Sequence, residues 1–172
     1  MKCFIRFAMI AVCILSTLVL SCNYTTKAPG TNGIKTVEVP MFKNNTMYHD
    51  LEVILTREIK EAVMRTPGVR VVNAGGDAVI SGEILSESMV VKRNDRRGVP
   101  ATLVVQIRVK ASMEDARTGM DIMKERAFVN TQSSALAGTY QADMNEPREL
   151  GEAAALKQIA QDIVRQAFGA GW

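Results

Sequence analysis

The cleanest pattern in the chain runs from Ala101 to Glu114. Leu103, Val105, Ile107, Val109, Ala111 and Met113 alternate with Gln106, Arg108, Lys110 and Ser112. That period of two predicts a half-buried antiparallel strand with one face on a core. Upstream, Ala78, Ile80, Gly82 and Ile84 alternate with polar neighbours and continue towards Val91, a second long strand. Asp115 to Gly119 turns the chain into a third strand over about 120–130. Before this meander, Ile34 to Phe42 places Val37, Val39 and Met41 against Thr36, Glu38 and Pro40, a strand that ends or lies at an edge near Pro40.

Two segments follow the helical period. Over roughly 48–66, Leu51, Leu55, Ile59 and Ala62 or Val63 form one stripe, with Asn44, Asn45 and Thr46 as caps and Pro67-Gly68 as the stop. Val69 to Val72 is a short strand, and 73–77 a turn. After a loop at Ser133 to Asn145, a final helix starts near Asn145-Glu146-Pro147. Its expected stripe is Leu150, Ala153 or Ala154, the stem of Lys157, Ala160, Ile163 or Val164, and Ala167. Both helices need a partner for their apolar stripes, and the sheet offers one apolar face. The expected fold is therefore α+β: a mixed four- to five-stranded sheet with two helices packed on one face, in the order β-α-β-β-β-α.

The first residues follow neither period. Lys2 and Arg6 precede an uncharged stretch of 14 residues, Phe7 to Leu20. As a helix this is about 21 Å long, short of a hydrocarbon core of about 30 Å, so a removable signal peptide fits better than a membrane span. The stretch closes on Leu18-Val19-Leu20-Ser21-Cys22, which looks like a lipobox although Leu20 stands where a small residue is usual. The alternative is a plain secretory signal that ends near a cysteine. Cys3 and Cys13 lie in the leader, so Cys22 is the one cysteine of the mature chain, and no disulfide framework is available. The expected organisation is a lipoprotein signal peptide over 1–21, a lipidated tether over 22–32 and a single domain over 33–172. Several acyl chains on Cys22, palmitate among them, would give a stable membrane tether.

Composition adds exclusions. All 18 acidic residues follow Cys22, while Lys2 and Arg6 leave with the leader, so the mature chain carries 19 cations against 18 anions. A net charge of +1 argues against a nucleic-acid-binding protein. Aromatic residues make up 5% of the chain, which leaves the core to aliphatic side chains. Chemistry is poorly supplied. The single histidine, His49, starts a helix beside Asp50 and reads as a surface or capping residue. Gly75-Gly76 is followed by a strand, not by the helix a phosphate cradle needs. No nucleophile elbow and no metal-ligand spacing is present, so no catalytic residue, metal or cofactor is assigned. A hydrolase acting on cell-wall material would need converging carboxylates or a histidine-centred site.

One charge cluster stands out. Lys92, Arg93, Arg96 and Arg97, with Asp95 among them, occupy the tip between the two long strands. Such a tip is a solvated loop that protects strand edges, or it is an anion site, because guanidinium groups grip phosphate through paired N–H donors. Lys124 and Arg126, on the next strand, are candidates to extend it.

Ile34 to Thr46 (IKTVEVPMFKNNT), Leu51-Glu52, Leu55 to Ile59, Val69 to Val72 and Asp77 to Ile84 (DAVISGEI) together resemble the LptE family. Gly76-Asp77-Ala78 stands at the family's Ala-Asp pair, and Cys22-Asn23-Tyr24 is similar to its Cys-Gly-Tyr. The resemblance implies a non-enzymatic lipoprotein on the periplasmic side of the outer membrane. It implies work inside an LptD-type β-barrel and contact with lipopolysaccharide through Lys92, Arg93, Arg96 and Arg97. The polar face bearing Gln106, Arg108 and Lys110 would suit a water-filled lumen. A second envelope class, of CsgG-like or TolB-N-terminal-like type, opens with a similar strand.

Overall fold

The computed structural model describes residues 33–130, 138–141 and 147–169. Among these residues nine elements follow in order: β1 (Thr36–Glu38), β2 (Lys43–Asn44), α1 (Leu51–Met64), β3 (Arg70–Val72), β4 (Ala78–Asn94), β5 (Pro100–Asp115), β6 (Asp121–Val129), β7 (Thr139–Gln141) and α2 (Arg148–Ala167). The main path of the sheet is β3-β1-β4-β5-β6, with β2 added to β4 and β7 added to β5. β1 pairs in parallel with both β3 and β4, and the β4–β5–β6 meander is antiparallel. The α+β architecture is as expected. The short strand β7 lies within the stretch read as a loop, and β2 follows Phe42 where the first strand was expected to end.

One core joins both helices to one face of the sheet. Leu51, Leu55, Ile59 and Val63 of α1 and Leu156, Ile159, Ala160 and Ile163 of α2 meet Ile80, Ile84, Val105, Ile107, Val109 and Met113. The α1 stripe is the one the sequence shows. In α2 the buried face is Gly151, Glu152, Ala155, Leu156, Ile159, Ala160, Ile163, Val164 and Ala167. Leu150, at 54% exposure, faces solvent, as does Lys157. The expected stripe is thus out of phase in the first two turns, because the run of alanines at 153–155 carries little directional signal.

Several family-motif residues prove to be structural. Asp77 Oδ2 accepts hydrogen bonds from the Lys35 and Thr36 amides (3.0 Å each) and from Thr36 Oγ1 (2.9 Å), which ties β1 to the start of β4. Those donors, the Lys35 amide foremost, hold its carboxyl below the ordinary aspartate range. The Phe42 ring lies over Gly82: a Cβ there would sit 2.7 Å from Phe42 Cε1 and 2.1 Å from the Lys110 carbonyl oxygen. Asn44 does not cap α1. Its Oδ1 accepts from the Thr46 amide (2.9 Å), and its Nδ2 donates to the Tyr48 carbonyl (2.6 Å) and to Glu52 (2.7 Å), which shapes the loop into α1. Asp50 precedes the helix in the left-handed region, φ 67°, with no side-chain cap.

Candidate functional site

β4 and β5 form an arm that outruns its neighbours. β4 has 17 residues, about 56 Å at ~3.3 Å per residue, but β1 pairs with it only at Ala78 and Val79, and β2 only at Glu83 and Ile84. The far end carries the predicted cationic tip. Asp95, the tip's one acid, is used by the backbone. Its Oδ1 accepts from the amides of Arg97 (2.7 Å) and Val99 (2.9 Å), while its own amide donates to the Val99 carbonyl (2.8 Å). Gly98, at φ 82°, completes the turn. Arg93 Nε donates to Thr102 Oγ1 (3.2 Å), and Lys92, Arg93, Arg96 and Arg97 are all exposed. Four cations therefore share a tip whose single carboxylate is committed to the turn.

Lys124 and Arg126 do not join them. Arg126 pairs with Ala111, 11 residues along β5 from Pro100, or roughly 36 Å at strand spacing. Lys124 falls at the irregularity between the Ala111 and Met113 pairings. Arg126 instead lies over the Phe128 ring (5.7 Å to its centroid) and lines a groove with Asp162, Arg165 and Gln166 of α2. The meander turns β6 back along the opposite end of β5, and the second connection fixes that distance. His49 is exposed. Cys22 lies outside the described residues.

At the root of the arm the structure adds a cluster that the alternation of β4 conceals. Register shifts between Ile84 and Ser86, so Leu85 is an extra residue and the inward positions move from 80, 82 and 84 to 87, 89 and 91. Glu87, opposite Ile107, therefore turns into the core with no side-chain exposure. Arg148, in the first turn of α2, meets it: Nη2 donates to Glu87 Oε1, and Nε lies 2.7 Å from Glu152 Oε1. The Tyr48 ring backs the guanidinium at 3.9 Å. Two carboxylates thus share one cation, and Glu87 Oε2 is buried without a hydrogen-bond partner.

The charges respond to that crowding. Burial opposes the Arg148 charge, but bonding to Glu87 and Tyr48 and attraction by both carboxylates outweigh it, and its pKa lies above the ordinary arginine value. Burial first, then repulsion from Glu87, pushes the Glu152 carboxyl up, against the pull of Arg148. The signals in the sequence were an acid within an aliphatic strand and an Arg-x-x-x-Glu spacing at a helix start. Neither is specific without the bulge.

The site is thus a long two-stranded arm with a cationic tip, rooted in a small α+β body. A model of the LptE family, described as Lipopolysaccharide-assembly, matches residues 34–167. The chain belongs to that family. No curated protein matches it. Among solved structures it is similar to the hypothetical protein CT253 from Chlamydia trachomatis, with 10% identity, a TM-score of 0.51 and coverage of 78% of this chain and 98% of that one. It is also similar to the PelC dodecamer from Paraburkholderia phytofirmans, with 12% identity, a TM-score of 0.50 and coverage of 83% and 93%. At such identities the likeness shows the fold alone.

Proposed function

We propose that the chain is an outer-membrane lipoprotein, cleaved after Ser21 and acylated on Cys22, which works with an LptD-type β-barrel in lipopolysaccharide assembly. Its cationic tip contacts the phosphorylated glycolipid. Membership of the lipopolysaccharide-assembly family supports the partner. The observation that carries the contact is the tip itself: Lys92, Arg93, Arg96 and Arg97 at the end of the arm, with Asp95 spent on backbone amides. Guanidinium groups so displayed offer paired donors to phosphate. The role is one of binding and positioning.

Membrane extraction and affinity capture of the tagged full-length protein should recover an outer-membrane barrel; a secretion-channel subunit in its place would refute the assignment. Reversing the charges of Arg93, Arg96 and Arg97 should weaken binding to lipid A vesicles at least tenfold, at about 1.5–3 kcal/mol per charged hydrogen bond lost, with the melting temperature unchanged. Equal binding by the variant would reduce the tip to a solvated turn. Cys22→Ala should leave the leader uncleaved or release the protein from the membrane.

A further inference from the structure

The two strands of the arm have unequal outer edges. That of β5 is occupied almost throughout. β7 pairs with Thr102 to Val104, and the Gly138 carbonyl accepts from the Val105 amide (2.7 Å). The Asn130 side chain accepts from the Ile107 amide and donates to the Val105 carbonyl (2.8 Å each), and β6 takes over at Arg108. A buried asparagine stands in for a strand where β6 and β7 leave a gap. On β4 the last partner is the Asn45 amide, which donates to the Ile84 carbonyl at 3.0 Å. From Ser86 to Val91 the strand keeps regular register with β5, and no strand pairs with its other edge among the described residues.

Exposed edges are usually blunted by shortness, charge or bulges. β3 has three residues, and β6 carries Lys124, Glu125 and Arg126 beside its bulge. Within the Ser86–Val91 stretch itself there is neither a bulge nor an outward-facing charge. Its one charged residue, Glu87, turns its carboxylate inward onto Arg148. Met89, Val90 and Val91 are 48%, 42% and 48% exposed. Six regular residues between two bulges are enough to accept an added strand, with backbone hydrogen bonds for affinity and the exposed side chains for selection.

The charge around this edge selects its occupant. Lys92, Arg96 and Arg97 adjoin it, while the carboxylate of Glu87 is held by Arg148 of α2 and that of Asp95 by the backbone of the tip. A second copy of the chain would bring the same cations to the edge. We propose that the Ser86–Val91 edge of β4 is a docking site for an extended, acidic segment of a protein partner, which adds to the sheet as a further strand. The inference rests on the reading of the chain as a partner-bound envelope lipoprotein, and it places the contact on the shaft of the arm, next to the lipid-binding tip.

The test uses the full-length protein in its own membrane. A photo-crosslinking residue at position 89, 90 or 91 should join one partner polypeptide, through a peptide rich in aspartate and glutamate. The double variant Ser88→Glu, Val90→Glu, which sets two like charges against an acidic segment, should reduce that crosslink at least tenfold while keeping the wild-type melting profile. High salt should weaken it too. Crosslinks that map to an uncharged or basic segment would overturn the proposal, as would a barrel that co-purifies equally with the glutamate variant and gives no crosslink; the latter leaves the functional reading intact. An acidic-segment crosslink without any co-purifying barrel would support the edge and refute that reading. A disulfide-linked homodimer of Val90→Cys at wild-type abundance would assign the edge to self-association and overturn the proposal.

Discussion

Arg148→Met tests whether the cluster at the root of the arm holds the hairpin to the body. The substitution keeps an unbranched apolar stem, removes the cation that pairs with Glu87 and Glu152, and ends the stacking on Tyr48 at 3.9 Å. Removing one partner of a buried pair costs about 3–5 kcal/mol, because the other charge stays buried alone. The Arg148 side chain is 25% exposed, which lowers that figure, and loss of the ring contact adds about 0.5–1 kcal/mol. The expected cost is about 2–4 kcal/mol, against a total stability of about 5–15 kcal/mol for a domain. In urea at neutral pH, followed by far-ultraviolet circular dichroism, the midpoint should fall by about 1–2 M at a slope near 2 kcal/mol/M. Adding Glu87→Gln should recover at least about 1 kcal/mol, because the double variant no longer buries a lone charge. A midpoint within about 0.3 M of the parent, or strictly additive single substitutions, would refute the account of Glu87 as a charge held by Arg148.

Two further predictions concern the same body. Gly82→Ala should cost about 2–3 kcal/mol or more, since its Cβ would sit 2.1 Å from the Lys110 carbonyl and 2.9 Å from Ala111 Cα, backbone that cannot step aside; an unchanged melting temperature would contradict the packing of Phe42 on this strand. Glu152→Gln should raise stability at neutral pH. The folded-state pKa of Glu152 lies above its ordinary value of 4.5, so the protonated form favours folding below 4.5, and that advantage is lost as pH rises through the raised value. The melting-temperature gap between variant and parent should therefore be positive at neutral pH and close as pH falls below 4.5. A gap independent of pH would show that the carboxyl is not the titrating group.

The chain by itself determined the parts list. The alternation of Leu103 to Met113, the Leu51–Leu55–Ile59 stripe and the turn at Asp115 to Gly119 each report a local period, and local periods survive into the fold because they come from which face is buried. The tip cluster was legible for the same reason: four cations within six residues of a turn stay together whatever the sheet does. Local period says nothing about where one element ends up against another. Lys124 and Arg126 lie on the strand next to the arm, yet antiparallel return along β5 carries them to its other end. The phase of α2 was lost among alanines that fit either face, and the sheet decided it.

The bulge at Leu85 marks the limit most clearly. One inserted residue exchanges the two faces of every position beyond it, and Leu85, an aliphatic residue in an aliphatic strand, leaves no trace in the pattern. Only pairing with β5 reveals that Glu87 faces inward, and only the start of α2 brings Arg148 to it, 61 residues further on. Which residues are apolar is a property of the chain; which of them meet, and which strand edge stays open, follows from tertiary register.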